Sequence, residues 1–131
     1  MLVNLHIVNL ALIDELDIDF NEGLCILTGE TGAGKSIIVG SIGIGLGGKY
    51  DSNLLRDKDK DGLVELLFNV DEKLSQELSD EDIEITDGEL LISRRLSKGR
   101  TVNRINGSTV TVSKLKQVAE RLMNLHAQHE Q

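Results

Sequence analysis

One octapeptide, Gly29-Glu30-Thr31-Gly32-Ala33-Gly34-Lys35-Ser36, constrains the fold of this 131-residue chain more than any other feature. It fits the pattern G-x-x-x-x-G-K-[ST] at every specified position. The apolar run 24–27 before it suggests a short strand buried on both faces, and a helix is predicted to follow it. Because a phosphate-binding loop requires that order, we expect a nucleoside triphosphate to bind here, with ATP and Mg²⁺ favoured.

The residue types of this loop have physical reasons. Glycines let the backbone curl so that successive N–H groups face the phosphates, and the helix N-terminus adds a potential that favours anions. Lys35 is expected to reach the β- and γ-phosphates, and the Ser36 hydroxyl to ligate Mg²⁺. Ser41, on the same predicted helix, is also assigned to the nucleotide-binding residues.

The rest of the pattern predicts a single α+β domain over residues 1–131. Alternation of apolar and polar residues predicts strands over 2–9 and 13–20, before the loop. The helix after the loop, over 35–46, is weakened by three glycines and ended by Gly47-Gly48. The downstream elements are a charged connection over 49–62, strands over 63–70, 82–86, 89–96, 100–105 and 108–110, a short helix over 72–78, and a last helix from the N-cap Thr111 to 123.

Three short sequences predict turns between the later strands. Asp87-Gly88, Ser97-Lys98-Gly99 and Asn106-Gly107 are typical of tight hairpins, because these residue types accept the positive φ angles that such turns require. Hairpins after the loop helix, and two strands of antiparallel character before it, differ from the regular βαβ order of simple nucleotide kinases. No Asn-Lys-x-Asp or Thr-Lys-x-Asp segment that would read guanine is present, which favours ATP.

Net charge and cysteine content limit the ligands and the cellular compartment expected for this chain. A formal charge of −8 argues against the whole surface binding nucleic acid. The one basic cluster comprises Arg94, Arg95, Lys98, Arg100 and Arg104. It is either a solvated hairpin edge or a DNA-backbone contact. Arg94 and Arg95 are adjacent and must point to opposite faces of their strand, so the five cannot all form one patch. No apolar run approaches the roughly 20 residues of a membrane helix. A single cysteine, Cys25, is typical of a protein of the reducing cytoplasm.

Five segments then resemble the RecN family of bacterial DNA double-strand-break repair ATPases. They are residues 10–16 (LALIDEL), 27–37 (LTGETGAGKSI), 51–56 (DSNLLR), 104–107 (RING) and 126–130 (HAQHE), in that order along nearly the whole chain. That family belongs with the SMC (structural maintenance of chromosomes) proteins, whose heads are ABC-type ATPases divided by a long coiled coil. The resemblance implies the N-terminal lobe of such a head, without its C-terminal half.

The same resemblance implies site residues and partners. Gly29 to Ser36 corresponds to Walker A, and Gln128, in the segment 124–131, corresponds to the Q-loop glutamine that contacts Mg²⁺ and the attacking water. Arg56 corresponds to an arginine directed at the nucleotide, and residues 9–11 correspond to the segment that approaches adenine. The implied partners are ATP, the C-terminal half of the same head, a second head and DNA. The expected setting is the cytoplasm, with nucleoid association and no membrane. ATP would drive head dimerisation, and the chain alone should show negligible turnover.

Two other functions stay open on sequence grounds. The segment Leu66 to Glu72 resembles a Walker B strand, so Asp71 and Glu72 could serve a self-contained small P-loop phosphotransferase. The other interpretation of that segment is a strand end that runs into the start of a helix. A pure interaction module that keeps the loop as a relic is the third possibility.

Overall fold

A computed structural model describes residues 1–20 and 32–129 of the chain. Its centre is a six-stranded sheet of order β2-β1-β3-β4-β5-β6 in which every neighbouring pair is antiparallel. The strands are β1 (Leu2–Leu10), β2 (Ile13–Asp19), β3 (Gly62–Asn69), β4 (Glu89–Ser97), β5 (Arg100–Ile105) and β6 (Ser108–Val110). The predicted strand over 24–27 and the loop residues Gly29, Glu30 and Thr31 lie outside the described residues.

Three helices accompany the sheet: α1 (Gly32–Gly45), α2 (Glu72–Asp80) and α3 (Val112–His129). A short 3₁₀ turn, Ser52–Leu54, interrupts the charged connection between α1 and β3. None of the helices in residues 1–20 and 32–129 is both long and apolar enough to cross a bilayer. The mixed sheet-and-helix architecture confirms the predicted α+β class.

Strand alternation places one face of the sheet in the core. Leu5 and Ile7 of β1 are fully buried, whereas the alternate residues Asn4 and His6 lie on the other face. The inward residues of all the central strands join one aliphatic core with residues of the three helices, among them Ile38, Leu74, Leu78, Leu115, Val118 and Leu122. The core is largely aliphatic, because the whole chain contains only two phenylalanines, one tyrosine and no tryptophan.

The predicted strand over 82–86 is wrong. The structure has only an isolated bridge there, between Thr86 and Glu89. The reason is the end of α2: Asp82 has a φ of +67°, and the Ile83 amide donates to the Leu78 carbonyl at 2.9 Å. This is the Schellman pattern, with the buried Ile83 closing the helix end, so the start of the predicted strand is used as a cap.

The three predicted turns are confirmed. Each places two successive residues at positive φ, as hairpin turns of the primed types require: Asp87-Gly88, Lys98-Gly99 and Asn106-Gly107. Their strands pair in the register that these turns set, for example Ser97 with Arg100. The β4–β5 and β5–β6 pairs are therefore local hairpins, whereas Asp87-Gly88 closes only the isolated bridge between Thr86 and Glu89.

The helices differ from prediction mainly at their ends. Helix α1 begins three residues earlier than predicted, at Gly32, and ends at the predicted Gly47-Gly48, where Gly47 has a φ of +115°. Helix α3 begins after Thr111, whose hydroxyl accepts a hydrogen bond from the Lys114 amide at 3.1 Å, as an N-cap should. It runs to His129, so the backbone over 124–129 is helical instead of ending at 123.

Candidate nucleotide-binding site

The predicted phosphate-binding loop meets the start of α1. Gly32, Ala33, Gly34, Lys35 and Ser36 form the beginning of that helix. Its described first turn holds no acidic residue. The positive potential of a helix N-terminus, and N–H groups that have no acceptor within the helix, make this end suited to an anion.

A mostly apolar cleft opens beside this helix end. Its volume is about 150 Å³, and it is lined by Leu10, Ala11, Ser36, Ile37, Gly40, Ser41, Ile44 and Leu54. Complete small-molecule sites are larger, roughly 300–1,000 Å³, so the cleft suits one part of a nucleotide. The structure thus brings the predicted Mg²⁺ ligand Ser36 next to Leu10 and Ala11, the residues predicted to approach adenine.

Ser41 forms part of the cleft wall. Its side chain is 2 % exposed, and its hydroxyl donates to the Ile37 carbonyl within α1 at 2.7 Å. Such a bond to the preceding turn is an ordinary use of a helical serine. The assignment of Ser41 to nucleotide binding stays a prediction.

Asn9, next in sequence to the cleft residues Leu10 and Ala11, organises the charged connection. It is 4 % exposed and has a φ of +56°. Its amide nitrogen donates to the carbonyls of Asp57, Lys60 and Asp61 at 2.9, 3.0 and 3.3 Å, and its amide oxygen accepts from the Asp57 N–H at 2.7 Å. One side chain therefore satisfies four backbone groups of the charged connection and ties that connection to the end of β1.

Backbone contacts bring the same connection against the β1–β2 turn. The Ala11 amide donates to the Leu54 carbonyl at 2.7 Å, and Leu10 forms a bridge with Leu55. The Arg56 amide donates to the Asn9 carbonyl at 3.4 Å, while the Arg56 side chain is exposed. The backbone of Arg56 is thus held two positions along the sequence from Leu54, which lines the cleft. Contact of Arg56 with the nucleotide stays a prediction.

Arg94 lies inside the protein, not in a surface patch. It is 3 % exposed, and its Nε donates to the Asn103 Oδ1 at 2.8 Å. Its Nη1 donates to the carbonyls of Ile44 and Gly48 at the end of α1, the latter at 2.7 Å. The guanidinium carbon also lies 5.7 Å from the centroid of the Tyr50 ring. Burial raises the pKa of Tyr50 to about 12 and lowers the pKa of Arg94.

The other members of the basic cluster are exposed. Arg95 lies 3.7 Å from an Asp61 carboxylate oxygen, while Lys98, Arg100 and Arg104 follow the β4–β5 hairpin. The opposite orientation of Arg94 and Arg95, predicted from strand alternation, is confirmed by their burial. A DNA contact by the four exposed residues stays a prediction.

Asp71 does not resemble a Walker B aspartate in its contacts. Its carboxylate accepts a hydrogen bond from the Leu74 amide at 2.8 Å and forms the N-cap of α2. The strand before it, β3, pairs antiparallel with β1 and β4 and alternates between buried and half-buried residues. Both facts favour a strand end that runs into a helix start, and they disfavour the phosphotransferase with Asp71 and Glu72.

The metal prediction rests on Ser36 and Gln128. The structure places Gln128 in the last turns of α3, and Ser36 is exposed at the edge of the cleft. Among the residues that the structure describes, no three His, Cys, Asp or Glu side chains are grouped to hold a metal ion. A hydroxyl that presents one oxygen ligand fits Mg²⁺, which is usually bound by few protein groups together with substrate phosphates.

Asn9 and Arg94 are the residues whose roles sequence reasoning missed. Strand alternation could have identified both residues, because each is a polar residue on the inward-facing, otherwise apolar side of its strand. Leu90, Ile92 and Leu96 surround Arg94 in that pattern. An inward arginine without an acidic neighbour in sequence indicates a partner elsewhere in the fold.

The chain matches the family model described as "AAA domain" over residues 4–131. It is 39 % identical over 133 residues to the DNA repair protein RecN of Halalkalibacterium halodurans, covering 99 % of this chain and 24 % of the relative. It is 40 % identical over 131 residues to the DNA repair protein RecN of Rickettsia prowazekii, covering 98 % of this chain and 23 % of that relative. The chain therefore spans about a quarter of the length of the curated relatives it matches.

Among solved structures, the chain is similar to an SMC ATPase studied for ATP-driven dimerization and DNA-stimulated activation. The TM-score is 0.68 and the identity 24 %, over 93 % of this chain and 79 % of that one. At this identity the likeness shows the fold alone. The fold agrees with the ATPase-head lobe that the sequence predicts.

Proposed function

The chain belongs to the AAA domain family, and from that premise we propose that it is the ATP-binding lobe of an ATPase head from a RecN-like DNA repair protein. The observation that carries the proposal is the junction of α1 with the cleft. Residues 32–36 of the matched motif open that helix beside an apolar cleft of about 150 Å³. Phosphates would lie at the helix N-terminus, and the cleft would take the base end of the nucleotide.

Each motif residue has a role in this proposal. Backbone N–H groups of residues 29–34 would surround the phosphates, Lys35 would bind the β- and γ-phosphates, and the Ser36 hydroxyl would ligate Mg²⁺. Gln128 would add a second oxygen ligand near the attacking water. Arg56 and Ser41 would complete the nucleotide contacts from the charged connection and the helix.

The rest of the full-length protein would complete the catalytic site. Support comes from α1, which is apolar on most of its circumference yet exposes Val39 (59 % exposed) together with Gly40 and Gly43. A helix of that composition is normally covered on all sides. We assign this face to the C-terminal half of the same head, which would supply the missing carboxylates and signature motif.

In the full-length protein, ATP would join two heads, and hydrolysis would release them to tether or process broken DNA. The relatives are DNA repair proteins, which supports DNA as the partner. The compartment would be the bacterial cytoplasm, at the nucleoid. This chain alone would bind nucleotide weakly and turn it over negligibly.

Hydrolysis of Mg-ATP by the purified chain tests the proposal, with Lys35→Ala as the control. We expect no turnover from the chain alone, and turnover once the C-terminal half is added. Turnover by the chain alone that Lys35→Ala abolishes would favour the small phosphotransferase. Failure to bind Mg-ATP even with the C-terminal half present would favour the interaction module.

A further inference from the structure

Arg94 is a buried cation whose compensation is unusual. Within residues 1–20 and 32–129 no carboxylate forms an ion pair with it. A buried charge is costly unless hydrogen bonds or an opposite charge offset its lost hydration. Its partners are two backbone carbonyls at the end of α1 and one side-chain amide oxygen, that of Asn103.

One of those carbonyls, that of Ile44, belongs to the last turn of α1, which is the negative end of the helix. The last turn of α1 contains no basic residue of its own. Arg94 therefore supplies, from strand β4, the positive charge that favours a helix C-terminus. The bond to Gly48 and the contact with the Tyr50 ring extend this support to the chain just beyond the helix.

Helix α1 depends on such support because its own sequence stabilises it poorly. Gly40 and Gly43 each cost about 1 kcal/mol relative to alanine in a helix interior, and a third glycine, Gly45, is the last residue of the helix. What places the helix on the sheet is close packing at its C-terminal end. There, a Cβ added at Gly45 would lie 2.6 Å from Cδ1 of Leu66.

We propose that Arg94 is a positioning residue for nucleotide binding, which holds the C-terminal end of α1 on β4 and thereby sets the position of the phosphate-binding end. The inference rests on the proposed function, since it assumes that the opposite end of α1 binds phosphates. A helix of 14 residues spans about 20 Å. A small tilt at Ile44 is therefore a displacement of ångström size at Ser36.

The test compares Arg94→Met with Arg94→Lys in the 131-residue chain, using two readouts. The first is amide hydrogen exchange along α1 without nucleotide. The second is the affinity for N-methylanthraniloyl-ATP with Mg²⁺. Leu74→Ala, a core truncation on α2, is the matched control for lost stability, and all variants are measured well below their unfolding midpoints.

We expect Arg94→Met to speed exchange in α1 at least about tenfold relative to the other helices. Its nucleotide affinity should fall about tenfold or more, because a group displaced by about 1 Å binds and reacts far less well. Arg94→Lys, which keeps the cation but not the two-pronged donor geometry, should recover part of the affinity. Leu74→Ala should leave the affinity unchanged.

The inference is overturned if exchange in α1 is unchanged by Arg94→Met, or if Leu74→Ala loses as much affinity as Arg94→Met. Should Arg94→Met not fold, Asn103→Leu removes the acceptor that orients Nε and should give the same selective exchange with a smaller affinity loss. A wild-type chain that binds no nucleotide, alone or with the C-terminal half, would refute the proposed function. The exchange readout would still decide whether Arg94 holds α1.

Discussion

Helices α1 and α3 lie in the same domain and are stabilised in different ways. Helix α3 has an N-cap at Thr111 and a buried stripe formed by Leu115, Val118, Ala119 and Leu122. Helix α1 has glycines at Gly40, Gly43 and its last residue Gly45, no basic residue in its last turn and an apolar composition on most sides.

The difference follows from what each helix does. An amphipathic, capped helix is specified by its own sequence and needs only a core to pack on. Gly45 of α1 permits the close approach of Leu66, and the surrounding structure must then hold the helix in place. Stability is thus encoded locally in α3 and by neighbours in α1, at the site where the nucleotide is proposed to bind.

The largest expected effect comes from the buried stripe of α3. Leu115→Ala should lower the free energy of unfolding by about 2–5 kcal/mol, because it leaves a cavity beneath a fully buried side chain. Urea denaturation measures it, with Val112→Ala, at a 39 % exposed position on the same helix, as control. Equal effects of the two substitutions would mean that α3 does not depend on its buried stripe.

The close approach of α1 to β3 gives the next effect. Gly45→Ala should cost about 1–3 kcal/mol, because the new methyl group must displace the buried Leu66 side chain. The matched variant is Gly43→Ala, where an added Cβ meets nothing within 4 Å. It should stabilise the chain by about 0.5–1 kcal/mol through helix propensity alone.

Thermal unfolding of the two glycine variants sharpens the comparison of the helices. Opposite shifts of the midpoint would show that one glycine of α1 serves packing, while the other only weakens the helix in this chain. If both substitutions stabilise, the approach of α1 to Leu66 is not tight, and the argument that neighbours place α1 loses its packing component.

The N-cap of α3 gives a smaller effect. Thr111→Ala should cost about 1 kcal/mol, since the Lys114 amide loses its acceptor. Ser113→Ala, an exposed position inside the same helix, is the control and should be close to neutral. A neutral Thr111→Ala would indicate that α3 owes its position to packing, without a contribution from its N-cap.

The smallest effect concerns the sheet on which both helices pack. The His6 ring nitrogens lie 3.0 Å from a Glu15 oxygen and 3.1 Å from a Glu65 oxygen. The hydrogen bond with Glu15 is the main cause that raises the pKa of His6 above its usual 6.5, with Glu65 and the nearby Asp17 adding to it. The stabilisation should be fully present below about pH 6.5 and lost as the pH rises through the folded-state pKa.

Comparison of wild type with His6→Gln in urea at several pH values checks this sign. The stability difference should shrink as the pH rises above the usual histidine value. A difference that grows with pH would mean that His6 is held neutral in the folded protein, against the geometry of its two carboxylate neighbours.

Local rules were enough to predict much of the fold. Strand alternation, the Asn106-Gly107 type of turn and the cap at Thr111 each depend on a few adjacent residues. The prediction of a strand over 82–86 was wrong because Asp82 and Ile83 instead form the C-terminal cap of α2, which is a competing local pattern. The end of α3 was predicted too early because residues 124–131 were assigned to the Q-loop by the family resemblance, whereas the helix runs to His129.

The candidate site was only partly predictable. The phosphate-binding motif is contiguous, so its residues could be named from the sequence. The supports could not, because the bonds of Asn9 span 48 to 52 residues and those of Arg94 reach back 46 and 50. When a side chain bonds backbone groups far away in the sequence, the only sign in the sequence is a polar residue on an otherwise apolar face.

Asn9 carries a consequence for how freely this protein can vary. Its position needs both a backbone that accepts a φ of +56° and a short amide that reaches the carbonyls at 57, 60 and 61. Glycine supplies only the first, aspartate lacks the donors, and glutamine is too long. In a saturation-mutagenesis library selected for folded protein, position 9 should therefore be among the most depleted, less tolerant even than the buried leucine beside it.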